Sequence, residues 1–185
     1  GEYNQIYLSS LNESTKKQVT NLLYAASNAE KVDEHGSWDF GIDFDSKGRG
    51  KALNWDLYGV SRDYFSKRTL IVIQVRQFIR RRKNYFPEIK KSYFLIGKNE
   101  DNTVFAHPVS AHTVQASAKA GKDVVRAVQN WIFGVDYTKI IRQGDVCLIP
   151  LKSKAILSNA DYASSKFTIQ DSHLLDADET RVLNE

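Results

Sequence analysis

Thr69-Leu70-Ile71-Val72-Ile73-Gln74-Val75-Arg76-Gln77-Phe78-Ile79-Arg80 sets the architecture of this chain. β-Branched residues dominate it; they lose χ1 freedom in a helix and pack well on a pleated surface, so the stretch reads as a long strand. One face carries Ile71, Ile73, Val75 and Ile79. The other begins apolar with Leu70 and Val72, then becomes Gln74, Arg76, Phe78 and Arg80, so the strand leaves the core partway along.

Upstream, Ala52 to Val60 reads as a second strand. Trp38 to Asp45 alternates, with Trp38, Phe40, Ile42 and Phe44 on one face and Asp39, Asp43 and Asp45 on the other, the pattern of a half-buried strand. Ser46 to Gly50 is a loop. At the start of the chain, Ser10-Leu11-Asn12-Glu13 fits a capping box, and Leu11, Val19, Leu22, Leu23 and Ala26 follow at helical spacing, which predicts a helix over 11–32. Downstream, Tyr93 to Lys98 and Thr103 to Val109 form two strands joined by the polar turn Asn99 to Asn102. Val124, Val125, Val128, Trp131 and Ile132 define a second amphipathic helix, with Gly134 placed to end it in a left-handed conformation. Short strands are expected over Val146 to Leu151 and Phe167 to Gln170.

A helix, several strands, a helix and more strands argue for an α+β fold: a curved, mainly antiparallel sheet, barrel-like at its limit, with two amphipathic helices. The 185 residues, 42% hydrophobic and 26% charged, suit one soluble α+β domain over 1–185, with 171–185 either an acidic tail or the start of a further segment. No apolar run approaches the ~20 residues that cross a bilayer, and no leader pattern opens the chain, so no membrane partner and an intracellular, cytoplasmic location are expected. The turn Arg142-Gln143-Gly144-Asp145 with its following hydrophobic strand resembles the corresponding element of SH3-like and PUA-like small β-barrels. The likeness covers ten residues, 142–151, and implies no function.

Charge carries the functional signal. Between Arg62 and Lys91 ten basic residues stand against two acids, a window of +8 in a chain of +4. From Asp161 to Glu185 six acids face two basic residues, an acidic end able to meet a protein partner. The basic window attracts polyanions over about a Debye length, roughly 8 Å at physiological salt. It also holds Tyr64-Phe65 and Tyr85-Phe86, with Tyr93-Phe94 following it closely. On a strand each pair would bury its Phe and leave its Tyr beside the cations, as in single-stranded nucleic-acid binders whose cations track phosphates while rings stack on bases. The expected contact residues are Arg76, Arg80, Arg81, Arg82, Lys83, Tyr85, Lys90, Lys91 and Tyr93, with DNA and RNA both open as ligands.

The alternative is a phosphodiester-cleaving hydrolase in which His107 and His112 serve as acid and base and the face of Asp39, Asp43 and Asp45 holds a divalent cation. A solvated strand face and ordinary surface histidines explain the same residues more simply. No assigned metal ligands and no cofactor follow from the sequence, and whether the chain is an enzyme stays open. His173 in Asp171-Ser172-His173 has only immediate neighbours for partners, which do not form a triad. Cys147 alternates with Ile149 and Leu151 and reads as a buried, unreactive thiol.

Overall fold

A computed structural model describes residues 4–26, 52–79, 88–143, 146–150, 161–163, 166–169, 173–176 and 180–182. The expected strand over 38–45, its loop, and the distal part of the first helix lie outside the described residues.

The long strand forms as its composition dictates: β2 (Thr69–Ile79) is central, paired antiparallel with β1 (Ala52–Arg62) and with β3 (Glu88–Lys98), and β4 (Val104–Pro108) continues the order β1-β2-β3-β4. The fold is α+β. This meander stays open rather than closing into a barrel. Ile6 adds a bridge to β1, its N–H donating to the carbonyl of Leu57 at 2.6 Å.

Both faces of the sheet are covered. On one side α1 (Glu13–Ala26) lays Val19, Leu22 and Leu23 on Leu57, Ile71, Ile73, Val75, Phe94 and Ile96. On the other side α2 (Ala111–Lys119) and α3 (Val124–Phe133) bring Val114, Val124, Val125 and Val128 onto Tyr58, Leu70, Val72, Tyr93 and Leu95. Period-2 alternation thus sends successive residues of β2 into two different cores. Each fully buried aliphatic side chain contributes about 1.5–3 kcal/mol by leaving water. Gly59 is where β1 meets α3: a Cβ there would stand 3.1 Å from the Cβ of Val124. Gly134 ends α3 with φ of 69°, as the sequence anticipates.

Two local expectations change. Ser10 does not cap the first helix; it sits in a short 3₁₀ turn and donates to the carbonyl of Tyr7, while Asn12 Oδ1 accepts from Thr15 N–H at 2.8 Å. Asn12 directly precedes Glu13, so its side chain is the one placed to accept from the first free N–H groups. There is also a third helix, α2, which has few large apolar residues to reveal its period. Its visible signal is the cap: Ser110 Oγ accepts from Thr113 N–H at 3.2 Å.

Residues 139–185 form a second compact unit, separate from 1–138. Its described strands are three antiparallel pairs: β5 (Ile141–Gln143) with β6 (Val146–Leu148), β7 (Asp161–Ala163) with β10 (Thr180–Val182), and β8 (Lys166–Ile169) with β9 (His173–Asp176). Strands β9 and β10 fall in the stretch whose sequence pattern suggests an acidic tail. Cys147 is a half-buried free thiol, and Ile149, expected on the same buried face, is exposed.

Candidate nucleic-acid interface

The register of β2 places the basic window. Arg76 stands opposite Lys91, and Gln77 opposite Lys90, near the end of the β2–β3 pair. Lys90 and Lys91 are both exposed, and as neighbours on a strand they project to opposite faces of the sheet. Arg76 is partly spent: its Nη2 lies 3.0 Å from Asp56 Oδ2 and 3.1 Å from Oδ1, in a half-buried ion pair. Its Nε, buried, has no hydrogen-bond partner. Pairing runs to Ile79↔Glu88, so residues 80–87 join the strands at this end. Arg80, Arg81, Arg82, Lys83 and Tyr85 belong to that connection and lie outside the described residues.

Tyr93 does not offer a stacking face. It is only 4% exposed, and its hydroxyl oxygen accepts from Gln74 Nε2 and Gln115 Nε2, each at 2.6 Å. The expectation that each pair buries its Phe and frees its Tyr fails here because β3 is covered on both faces, so Tyr93 and Phe94 each enter a core. Tyr64-Phe65 lies in the β1–β2 turn rather than on a strand, with Tyr64 exposed and Phe65 half-buried.

That turn gathers the remaining cations of the window. Asp63, 4% exposed, organises it by accepting from the N–H groups of Phe65 (3.2 Å) and Ser66 (2.7 Å), from Gln129 Nε2 (3.0 Å) and from Tyr137 Oη (2.7 Å). Burial by itself would raise the pKa of this carboxyl. The donors from Ser66, Tyr137 and Gln129 outweigh it and hold the carboxyl below the usual carboxylate value. Around this anchor stand Arg62, Lys67 and Arg68, with Lys98 at the end of β3. The ammonium of Lys67 lies 5.0 Å from the Tyr64 ring, and the guanidinium of Arg126 lies 5.4 Å from the same ring.

The window is therefore divided. From Thr69 to Arg76 the strand rises roughly 3.3 Å per residue, or roughly 23 Å, nearly three Debye lengths. The two cationic ends act independently at physiological salt. Sequence reasoning points to the far end and passes over Arg62, Lys67, Arg68 and Lys98. A signal for them exists: consecutive short turns make a meander, and a meander puts the β1–β2 and β3–β4 turns at the same end.

His107 on β4 and His112 on α2 are both exposed and stand on separate elements. Asp39, Asp43 and Asp45 lie outside the described residues. Among the described residues no group of three or more His, Cys, Asp or Glu side chains is placed to hold a metal ion. No described helix is long and apolar enough to cross a membrane. No family model, curated protein or solved structure matches the chain.

Proposed function

We propose that the chain is a nucleic-acid-binding module whose contact surface is the cationic end of the β2–β3 pair. The observation that carries this reading is the exposure of Lys90 and Lys91 on β3, with Lys91 opposite Arg76 on β2; the sequence between these two strands adds Arg80, Arg81, Arg82 and Lys83. Among the described residues at this end, Asp56 is engaged with Arg76 and Glu88 begins β3. With the Tyr93 ring in the core, the contacts of Lys90 and Lys91 are to phosphate, and of the two expected stacking rings Tyr85 remains. Binding of that kind is tolerant of sequence and steeply salt-dependent, because each neutralised phosphate releases counterions.

The test is fluorescence anisotropy of labelled single- and double-stranded oligonucleotides, DNA and RNA, at ~50 mM salt, where phosphate contacts count most. Wild type binds at least one of them. Replacing Arg80, Arg81 and Arg82 together with Ala weakens binding and flattens its salt dependence. Absence of binding by wild type at that salt overturns the reading.

A further inference from the structure

The turn end holds a second feature that the nucleic-acid reading does not use. Between α1 and the β1–β2 and β3–β4 turns lies a recess of about 440 Å³. That volume falls in the roughly 300–1,000 Å³ range of small-molecule sites. Its lining includes four cationic side chains, Arg62, Lys67, Arg68 and Lys98, and the amides of Gln18, Asn21 and Asn102, but no carboxylate.

The walls are fixed by bonds that leave part of this charge unspent. Arg68 ties the two turns together, its Nη1 donating to the carbonyl of Asn99 and its Nη2 reaching that of Glu100 at 3.4 Å. Lys67, at φ of 59°, donates to the carbonyl of Tyr64 at 2.6 Å. Asp101, which shares its turn with Glu100 and also lies within electrostatic reach of Arg68, is held by the N–H (3.0 Å) and hydroxyl (2.5 Å) of Thr103. Gln18 Oε1 accepts from the Thr69 hydroxyl, which leaves its NH₂ to donate. Arg62 and Lys98 have no carboxylate partner among the described residues. Cations gathered around one open recess repel each other, and an anion with several acceptor oxygens offsets that cost. A single carboxylate offers one charge and two oxygens to this set. A phosphate group offers up to two charges and more oxygens, and matches the guanidinium fork.

We infer that this recess binds a small phosphorylated molecule, its phosphate held by Arg62 and Lys98 with the amides of α1 and of the β3–β4 turn as further donors. The volume exceeds what phosphate alone fills and leaves room for an organic part. This inference is independent of the oligonucleotide surface.

The experiment is a titration of the full chain with inorganic pyrophosphate, followed by amide NMR shifts, with chloride at matched ionic strength as the control. Expected are saturable shifts at Asn21, Lys98 and Asn102, and an affinity about tenfold or more weaker in the double variant Arg62→Gln, Lys98→Gln, with Lys90→Ala, Lys91→Ala unchanged. Both variants keep hydrogen-bonding or surface character, and the unshifted remainder of the spectrum reports that they fold. Shifts that follow ionic strength alone, or that fail to saturate at millimolar pyrophosphate, overturn the inference. Displacement of pyrophosphate by an oligonucleotide that persists in Lys90→Ala, Lys91→Ala assigns the recess to the nucleic-acid surface and equally overturns it.

Discussion

The two ends of β2 receive cations from the same short window of sequence and treat them differently. At the turn end, Asp63 nucleates a closed network, Arg68 joins two turns, and Lys67 lies against Tyr64, so much of the charge is built into the structure. At the far end Arg76 is paired with Asp56, while Lys90 and Lys91 stand exposed on the strand. Charge density along a chain is thus no measure of charge density on a surface. The stretch of strand from Thr69 to Arg76 is enough to turn one basic cluster into two.

This contrast predicts that charge removal costs stability at one end and ligand at the other. The largest effect is expected at Asp63. Asp63→Ala strips four donors of their acceptor in a buried site and should cost about 2–4 kcal/mol, read as the urea midpoint. Because its folded-state pKa is lowered, Asp63 contributes stability that is fully present above the unfolded value and disappears as pH falls through the folded value. Unfolding titrations at pH values descending below about 4 should show this decline in wild type, and Asp63→Asn should flatten it. An unchanged pH profile in Asp63→Asn would mean that the turn end is held together in another way.

Next comes Tyr93→Phe, which leaves the buried Gln74 amide and the exposed Gln115 amide without their acceptor and should cost about 1–3 kcal/mol, mostly at Gln74. It separates structure from binding sharply: stability falls while oligonucleotide affinity stays as in wild type. Reduced affinity in a folded Tyr93→Phe protein would return the ring to the contact surface. The smallest stability effect belongs to Arg76→Ala, about 1 kcal/mol or less, since its pair with Asp56 is partly solvated. A cost well above that at the far end would erase the contrast between the two regions.

Much of the fold is legible in the sequence because it follows from local pattern. β2 matches the run of β-branched residues almost to its ends, and α3 stops at the glycine that its period requires. What fails is what depends on neighbours. The polar side of β2 reads as solvated from Gln74 onward, yet Gln74 is 3% exposed, because the Tyr93 hydroxyl accepts from it across the sheet and is itself held by Gln115 from α2. α2 itself escapes the periodicity because Ala, Ser and Thr give it no apolar stripe. The candidate site is half visible for the same reason: the sequence shows which cations exist, but only the meander shows that Lys98 belongs with Arg62 and Arg68, and that Arg76 does not.

If oligonucleotides bind at the far end and not at the turn end, salt dependence separates the two: the slope of log affinity against log salt is compared for wild type, Lys90→Ala with Lys91→Ala, and Arg62→Gln with Lys98→Gln. Each phosphate that goes unneutralised lowers the slope by roughly 0.7 to 0.9, so the lysine pair should flatten it by roughly 1.5 and the turn-end pair should leave it unchanged. Equal flattening by both pairs, or a slope that the lysine pair does not alter, would contradict binding at the far end.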